Sequence, residues 1–444
     1  MSDKIIRLGG SHAGRGSSLK NLIAHLDRGS GKSFVVVSAI PEMLEFIKSS
    51  LYSANQTDTV LFSEKLNAFY TEITGKSPSK SFDELVCQVT GIIRGVGLIG
   101  DYSDGLKDQV FSFGEKLTAE IFRTQLASFG LESETLYPEQ IELQVSSDFG
   151  NATFLSVNRE KIEQLEGNYF LIPGTYGITQ SGKIARTGTT AADYTAAFLT
   201  RELDIPKLEL WGLDKEFYRV DPAIVPGIER IGRLTYSEAS ELAYFDHYSF
   251  HPRTVEPLES EHIPIYIVNP ESGNGKNDTV INTETFIEPQ VVKSVAYTDD
   301  ISLLRLEGPG VGLKPGILAK VTSQLNNAGI NIKSVITSQI SINIILEKKT
   351  GSEALDLIRR LGFSSVKEVT VIDNVTLVGV VGHGMQQNYG VAAKIFGAVA
   401  RQQINVELSG SGASDLVSYL VVKSSDKEKS IREIYNSFFT QINK

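Results

Sequence analysis

Apolar and polar positions alternate in two rhythms along the first 270 residues. Short apolar runs at 4–8, 34–39, 169–173, 207–212 and 263–268 predict strands. Segments 18–27, 42–51, 115–128 and 191–203 carry apolar residues at helical spacing between them. Strands alternating with helices predict a mostly parallel sheet covered on both faces. The polar, glycine-rich stretch 269–278 (NPESGNGKND) predicts a surface loop near the end of this block.

The C-terminal third repeats itself. Gly316-Ile317-Leu318-Ala319-Lys320 leads to Ile330-Asn331-Ile332, and Gly390-Val391-Ala392-Ala393-Lys394 leads to Ile404-Asn405-Val406, an offset of 74 residues in each case. Helical apolar spacing (Ile317, Val321, Leu325; Val391, Ile395, Val399) separates the paired motifs, and a strand-like run follows each. The pattern predicts two small αβ sandwiches. Strand-like 291–297 and 301–306 are expected to open the first, and 375–381 the second.

At 444 residues, 41% hydrophobic and 22% charged, the chain has room for two or three domains with cores of their own. A net charge of −10 argues against a nucleic-acid or anionic-membrane partner, since neither polyanion gains from an acidic surface. No apolar run approaches the roughly 20 residues that span a bilayer. The N-terminus enters a strand without a signal-peptide pattern, so a soluble, cytoplasmic protein is expected. The single cysteine, Cys87, follows Leu85-Val86 and is expected to be a buried, inert thiol.

Each candidate motif has a functional and a structural reading. Gly9-Gly10-Ser11 after a strand suits the close approach of an anion, or simply a tight turn. Ser38 stands at the carboxyl edge of its strand, as a ligand group or a helix N-cap. Gly29-Ser30-Gly31-Lys32-Ser33 imitates a phosphate-binding loop, but Leu26 replaces the leading glycine and the segment precedes a strand. It is a loop. Ser112-Phe113-Gly114-Glu115 is read as opening a helix, with Glu115 in the first turn where the helix dipole favours it. Tyr218-Arg219-Val220-Asp221-Pro222 could hold an adenine or cap a loop. The segment 238–254 reads as a helix ending in His251-Pro252-Arg253-Thr254, His251 being a hydrogen-bonded structural histidine when taken alone.

Together the order and spacing of these motifs resemble the aspartokinase family. Arg7–Ser11, Phe113-Gly114-Glu115, Asp193-Tyr194-Thr195-Ala196-Ala197, 218–222, 233–239 and 251–257 fall where that family carries its signatures. The resemblance implies an α/β architecture: an amino-acid-kinase-like three-layer αβα domain (1–285), then two ferredoxin-like βαββαβ ACT domains (290–370 and 371–444). It implies ATP with Mg²⁺, no protein-held metal, and small amino acids as substrate and effector. It also implies a homodimer or hetero-oligomer through the ACT modules. By the same resemblance Arg7 and Asp193 are catalytic, and Gly9, Gly10, Ser11, Ser38, Tyr218 and Asp221 bind nucleotide. Glu115 and Thr189 bind substrate. The loop with Gly312, Pro315, Gly316 and Ile317 offers backbone N–H groups at a helix start for an effector carboxylate, with Asn331 and Ser338 completing the site, or its glycines only shape the turn and Asn331 caps a strand.

The departures fall on the chemistry. The family's phosphate-facing lysine is Arg7, and its carboxylate-binding arginine is Thr189, followed by Thr190, Ala191 and Ala192 where the family has Gly-Gly-Ser. A second phosphate lysine is Tyr248, and 211–216 loses groups that line the nucleotide pocket. Arg186, three residues before Thr189, is expected to be a solvated surface charge. Three functions stay open: a kinase making an acyl phosphate from aspartate, a kinase for another carboxylate, and a non-catalytic regulatory homologue that binds amino acids.

Overall fold

A computed structural model describes residues 3–13, 16–26, 31–188, 191–213, 216–245, 250–271, 279–312, 314–411 and 414–440. The chain forms two compact units. One is built from Met1–Glu216, Gly232–Ser240 and Ser249–Glu284, the other from Phe217–Ile231, Glu241–Tyr248 and Thr285–Lys444. Two segments of the predicted first domain thus belong with the C-terminal modules.

Among the described residues, eight strands make the main sheet of the first unit. Their order is Arg233–Thr235, Thr279–Asn282, Ile265–Val268, Leu208–Trp211, Lys4–Leu8, Ser33–Val37, Tyr169–Pro173 and Glu134–Thr135. All neighbours are parallel except Ile265–Val268 with Thr279–Asn282. Alternation assigns the two faces. Ile6, Leu8, Val35, Val37 and Leu171 pack with Leu19, Leu22 and Leu26 of helix Gly16–Leu26 and Phe122 and Leu126 of helix Asp104–Ser128. The opposite face, which carries Ile5 and Arg7, meets helix Ala192–Glu202. That gives three layers. Helices Pro41–Tyr52, Thr59–Thr74 and Lys80–Ile99 pack with Asp104–Ser128 around a further apolar core. Within Lys80–Ile99 the buried stripe is Phe82, Leu85, Val86, Val89, Ile93 and Val96. Cys87 lies off that stripe and is exposed, contrary to the expected buried thiol.

Helix Asp104–Ser128 starts eleven residues before Glu115, with the Ser103 hydroxyl accepting the Leu106 amide at 3.3 Å. Glu115 is therefore mid-helix, and the dipole argument for a first-turn acid does not apply to it. Gly114 is explained by packing: a Cβ there would come 2.8 Å from Leu44 and 3.2 Å from Ala39. The helix expected over 238–254 ends at Ala243, and among the described residues of that stretch a short 3₁₀ turn, Pro252–Thr254, follows later. In the imitation phosphate loop, Lys32 donates to the carbonyls of Ile162 and Glu163 at 3.1 and 2.8 Å, next to strand Ser33–Val37.

The second unit holds two antiparallel four-stranded sheets. One orders Ile332–Thr337, Ser341–Leu346, Ser302–Glu307 and Glu368–Ile372, with helices Ile317–Asn327 and Gly351–Arg360. The other orders Val292–Thr298, Val375–Gly382, Val417–Lys423 and Val406–Ser411, with helices Val391–Arg401 and Lys427–Phe439. The repeated glycines have one cause. Gly316 and Gly390 each precede a helix with φ of +87°, left-handed backbone that a side chain disfavours.

The strand-like segment 291–297, expected to open the first module, forms strand Val292–Thr298. It instead pairs with Val375–Gly382, from Ala296↔Gly379 through Thr298↔Leu377, and completes the second module's sheet. Val292 and Val295 sit in that module's core with Val378, Val380, Ile395 and Ile431. Val295→Ala should accordingly destabilise by about 2–3 kcal/mol. Hydrogen exchange should show the lost protection in Val375–Gly382 and Val417–Lys423; loss confined to Ser302–Glu307 and Ser341–Leu346 would contradict this pairing.

Candidate active site

Parallel strands deliver their carboxyl ends to one edge of the sheet, where ligands gather in open α/β folds. Leu8, Val37 and Pro173 end there side by side, followed by Gly9-Gly10, Ser38-Ala39 and Gly174-Thr175. The backbones at this edge nearly touch. A Cβ on Gly9 would lie 2.3 Å from the Gly212 carbonyl oxygen, and one on Gly10 would lie 2.1 Å from that of Ala39. The glycine pair is thus demanded by packing whatever else it does. Ser11 continues the 3₁₀ turn Gly10–His12. Ser38 donates its amide to Leu8, while its buried hydroxyl makes no hydrogen bond to any described residue.

Arg7 points from the sheet to helix Ala192–Glu202. Its Nε lies 2.6 Å from Oδ1 of Asp193, with side chains 5% and 0% exposed. Arg7 also donates to the Gly212 carbonyl at 3.3 Å, and Oδ2 of Asp193 accepts the His251 amide at 3.3 Å. Removing one partner of such a buried pair typically costs about 3–5 kcal/mol. His251-Pro252-Arg253-Thr254 clamps the same helix. Arg253 donates to the Tyr194 hydroxyl and Thr153 Oγ1, both at 2.9 Å, and lies 4.4 Å above the Tyr194 ring. Nδ1 of His251 accepts the Arg253 amide at 3.3 Å, so that nitrogen is unprotonated. Burial, helped by the nearby Arg253 charge, holds the His251 pKa down at about 4.

Glu115 lies in a second buried ion pair. Its Oε1 accepts from Thr175 Oγ1 at 2.7 Å and from Arg186 Nη2 at 3.1 Å. Arg186 is no surface charge: its side chain is 7% exposed, and its guanidinium stands 5.8 Å from the Phe111 ring. Asp108 accepts the Arg186 amide at 2.8 Å and the Gly150 amide at 2.7 Å. Asp108, Phe111 and Glu115 recur at i, i+3 and i+7, one face of their helix, and all three engage Arg186 or its backbone. That spacing was readable in the sequence, but its partner was not. Burial raises the pKa of Glu115 and of Asp108, against the lowering effect of Arg186. Thr175 holds a left-handed φ of +73°, strained for a β-branched residue, while its amide and hydroxyl are both hydrogen-bonded. One oxygen of Glu115 (Oε2), Nε of Arg186 and the Thr187 hydroxyl are buried and make no hydrogen bond to a described residue.

Arg7, Gly9, Gly10, Ser11, Ser38, Glu115 and Asp193 all belong to the first unit. Tyr218 and Asp221 belong to the second. Tyr218 bridges Arg230, and Asp221 accepts from the Tyr297 hydroxyl and the Ala223 amide, both at 2.8 Å. Thr189 and Tyr248 lie outside the described residues. In the first small module, Gly312 packs against the Ser338 carbonyl, 2.1 Å from where its Cβ would stand. Pro315 and Gly316 lead into the helix whose first residue, Ile317, is buried. Asn331 and Ser338 flank opposite ends of strand Ile332–Thr337, about 20 Å apart at the rise of an extended chain. One copy of the chain does not bring them together. The Ser338 hydroxyl is spent on its own hairpin, with Ser341 Oγ at 2.8 Å.

A mostly parallel sheet with a buried arginine–aspartate pair at its carboxyl edge, followed in the chain by two small αβ modules, defines an α/β protein of kinase-like build. The model of the amino acid kinase family matches residues 4–269, and ACT-domain models match 296–360 and 378–438. The chain belongs to the amino acid kinase family and, with its two ACT modules, to the aspartokinases within it. It is 25% identical over 407 residues to the bifunctional aspartokinase/homoserine dehydrogenase of Haemophilus influenzae, covering 87% of this chain and 50% of that protein. The chain thus spans about half the length of such bifunctional relatives. It is 24% identical over 348 residues to lysine-sensitive aspartokinase 3 of Escherichia coli, 76% of each chain. The fold resembles that of E. coli aspartokinase III in complex with aspartate and ADP, with a TM-score of 0.83 at 22% identity over 99% of this chain and 100% of that one. Clostridium acetobutylicum aspartate kinase gives 0.73 at 21% identity, over 99% and 100% of the two chains. Among the described residues no helix is long and apolar enough to cross a membrane.

His251 supplies a pH test. Folding lowers its pKa from 6.5 to about 4, so the unfolded chain holds the extra proton between those values. Its contribution is complete above pH 6.5 and is lost as the pH falls toward 4, by up to about 3 kcal/mol. Glu115 and Asp108, whose pKa values folding raises, contribute the opposite slope, so parent and variant must be compared. His251→Asn keeps an acceptor beside the Arg253 amide and should flatten the difference between urea midpoints at pH 4.5 and 7.5. An unchanged difference would assign the slope elsewhere.

Proposed function

We propose that the chain transfers the terminal phosphoryl group of ATP to the side-chain carboxylate of aspartate, with small amino acids acting on the ACT modules. The observation that carries this reading is the buried Glu115–Arg186 pair beside Arg7–Asp193. Glu115 Oε2 and Arg186 Nε are buried atoms without a described partner, and they suit the two charged ends of an amino-acid zwitterion. Glu115 takes the acceptor's ammonium, and Arg186 takes the α-carboxylate in place of the arginine missing at position 189. Arg7, oriented by Asp193, faces the phosphoryl group, and the Ser38 hydroxyl with the Gly9–Ser11 turn lies against the phosphates. ATP supplies the activated phosphoryl group, and phosphoryl transfer asks of a protein mainly positioning and positive charge. Among the described residues no three His, Cys, Asp or Glu side chains gather as a metal cage. In this reading Mg²⁺ rides on the nucleotide phosphates, its usual mode.

A second reading draws on the same pair. Because Arg186 and Thr175 already hold Glu115, less of its charge is left for an incoming ammonium, which favours an amino-acid-binding regulatory homologue. An acyl-hydroxamate assay with Mg-ATP separates the two. Hydroxamate formation with aspartate is expected, with Arg186→Met and Glu115→Gln each raising the aspartate KM at least tenfold and kcat less. No product with aspartate or glutamate would leave the regulatory reading.

The helix start at Gly316 and Ile317, reached through Gly312 and Pro315, presents backbone N–H groups suited to an effector carboxylate, while the Gly312 amide itself is donated to the Gln339 carbonyl. Asn331 and Ser338 would complete such a site from two copies, in a dimer built through the small modules. Lysine, threonine or methionine should raise the thermal midpoint of the full chain. No shift with any of them, or a monomer by light scattering at micromolar concentration, would defeat that assembly.

A further inference from the structure

The second unit contains a cavity of about 280 Å³ away from the effector loop, walled by both small modules and by residues near the end of helix Tyr236–Ala243. Its walls are built rather than incidental. The Phe245 ring lies against Gly379, where a Cβ would come 2.0 Å from the ring. The Tyr419 ring lies similarly on Gly410, at 2.4 Å, and its hydroxyl meets Ser334 Oγ at 2.8 Å. That contact joins strand Ile332–Thr337 of the first module to strand Val417–Lys423 of the second.

One acidic and one basic residue, Glu241 and Lys333, are among those that line this space. Glu241 accepts the Ser414 hydroxyl at 3.0 Å. The Lys333 ammonium donates to the Asp300 carbonyl at 3.0 Å, has the Asp300 carboxylate at 3.8 Å, and lies 5.6 Å from the centre of the Tyr244 ring. An ammonium has three donors, and the Asp300 carbonyl takes one. Leu377, Val417 and Phe245 supply buried apolar wall. An apolar cavity near the lower end of ligand-site size, with opposite charges as its orienting groups, suits a small zwitterion carrying an apolar side chain.

We propose that this cavity binds an apolar α-amino acid, its ammonium on Glu241, its carboxylate on Lys333 and its side chain against Leu377 and Val417. Such a ligand bridges the two modules and residue Glu241, so it favours whatever arrangement of these three the cavity requires. The site is separate from the Gly312–Ile317 loop and does not depend on the chain being a kinase.

Calorimetric titration of the full chain with L-leucine, L-isoleucine and L-phenylalanine tests it. At least one should bind in the millimolar range or tighter, and Glu241→Gln and Lys333→Met should each weaken it at least tenfold. Ser338→Ala, at the effector loop, should leave it unchanged. If either cavity variant fails to fold by circular dichroism, the unmodified chain still decides with analogues of leucine lacking one charge. 3-Methylbutylamine and 4-methylpentanoate should each bind at least tenfold more weakly than leucine. No binding of any of the three amino acids, loss through Ser338→Ala, or analogues as tight as leucine would overturn the proposal.

Discussion

A guanidinium taken out of water must meet an anion, and in this chain that requirement organises the first unit. Arg7 leaves the central strand on the face opposite helix Gly16–Leu26, and Asp193 in the first turn of helix Ala192–Glu202 meets it at 2.6 Å. The pair holds that helix to the sheet at the edge where the strands end. His251 and Arg253 then hold the helix from outside, through the Asp193 carboxylate and the Tyr194 ring. Neither contact would be worth much in water. Both gain from burial, where charges are screened least.

The second buried pair joins residues far apart in the chain. With threonine at position 189, the cation nearest to Glu115 among the described residues comes from the end of strand Ile184–Arg186. Asp108 fixes the backbone of that residue and Phe111 lies by its guanidinium, so Arg186 is positioned by three side chains of one helix face. A preorganised cation of this kind needs little rearrangement when a ligand arrives.

In the C-terminal unit the exchanged strand has the wider consequence. Because Val292–Thr298 completes the second sheet, the first module is inserted between two strands of the second. Val220 and Ile224 reach into the same core, and Ser294 donates to the carbonyls of Tyr218 and Arg219. The Tyr218–Asp221 motif is therefore part of the fabric of the second module, and a change in that module's packing reaches the motif directly.

The sequence alone determined the layer architecture and the duplication, because hydrophobic period and glycine placement are local properties. Strands such as Lys4–Leu8 and Tyr169–Pro173 and the paired glycines Gly316 and Gly390 were all legible in this way. Motif spacing and family resemblance also singled out Gly9, Gly10, Ser38, Glu115 and Asp193, which lie in one unit of the structure. Tertiary structure decided the rest. Arg186 looked solvated because nothing within a few residues neutralises it; its partner Glu115 is 71 positions away and its support Asp108 is 78. Cys87 follows two apolar residues, yet lies outside the stripe that a 3.6-residue turn buries. Val292–Thr298 has the apolar content of a strand for either sheet, and only the register with Val375–Gly382 chooses between them. A local pattern specifies that a residue must be buried or paired. Which partner meets it depends on contacts between distant segments that form only when the chain folds.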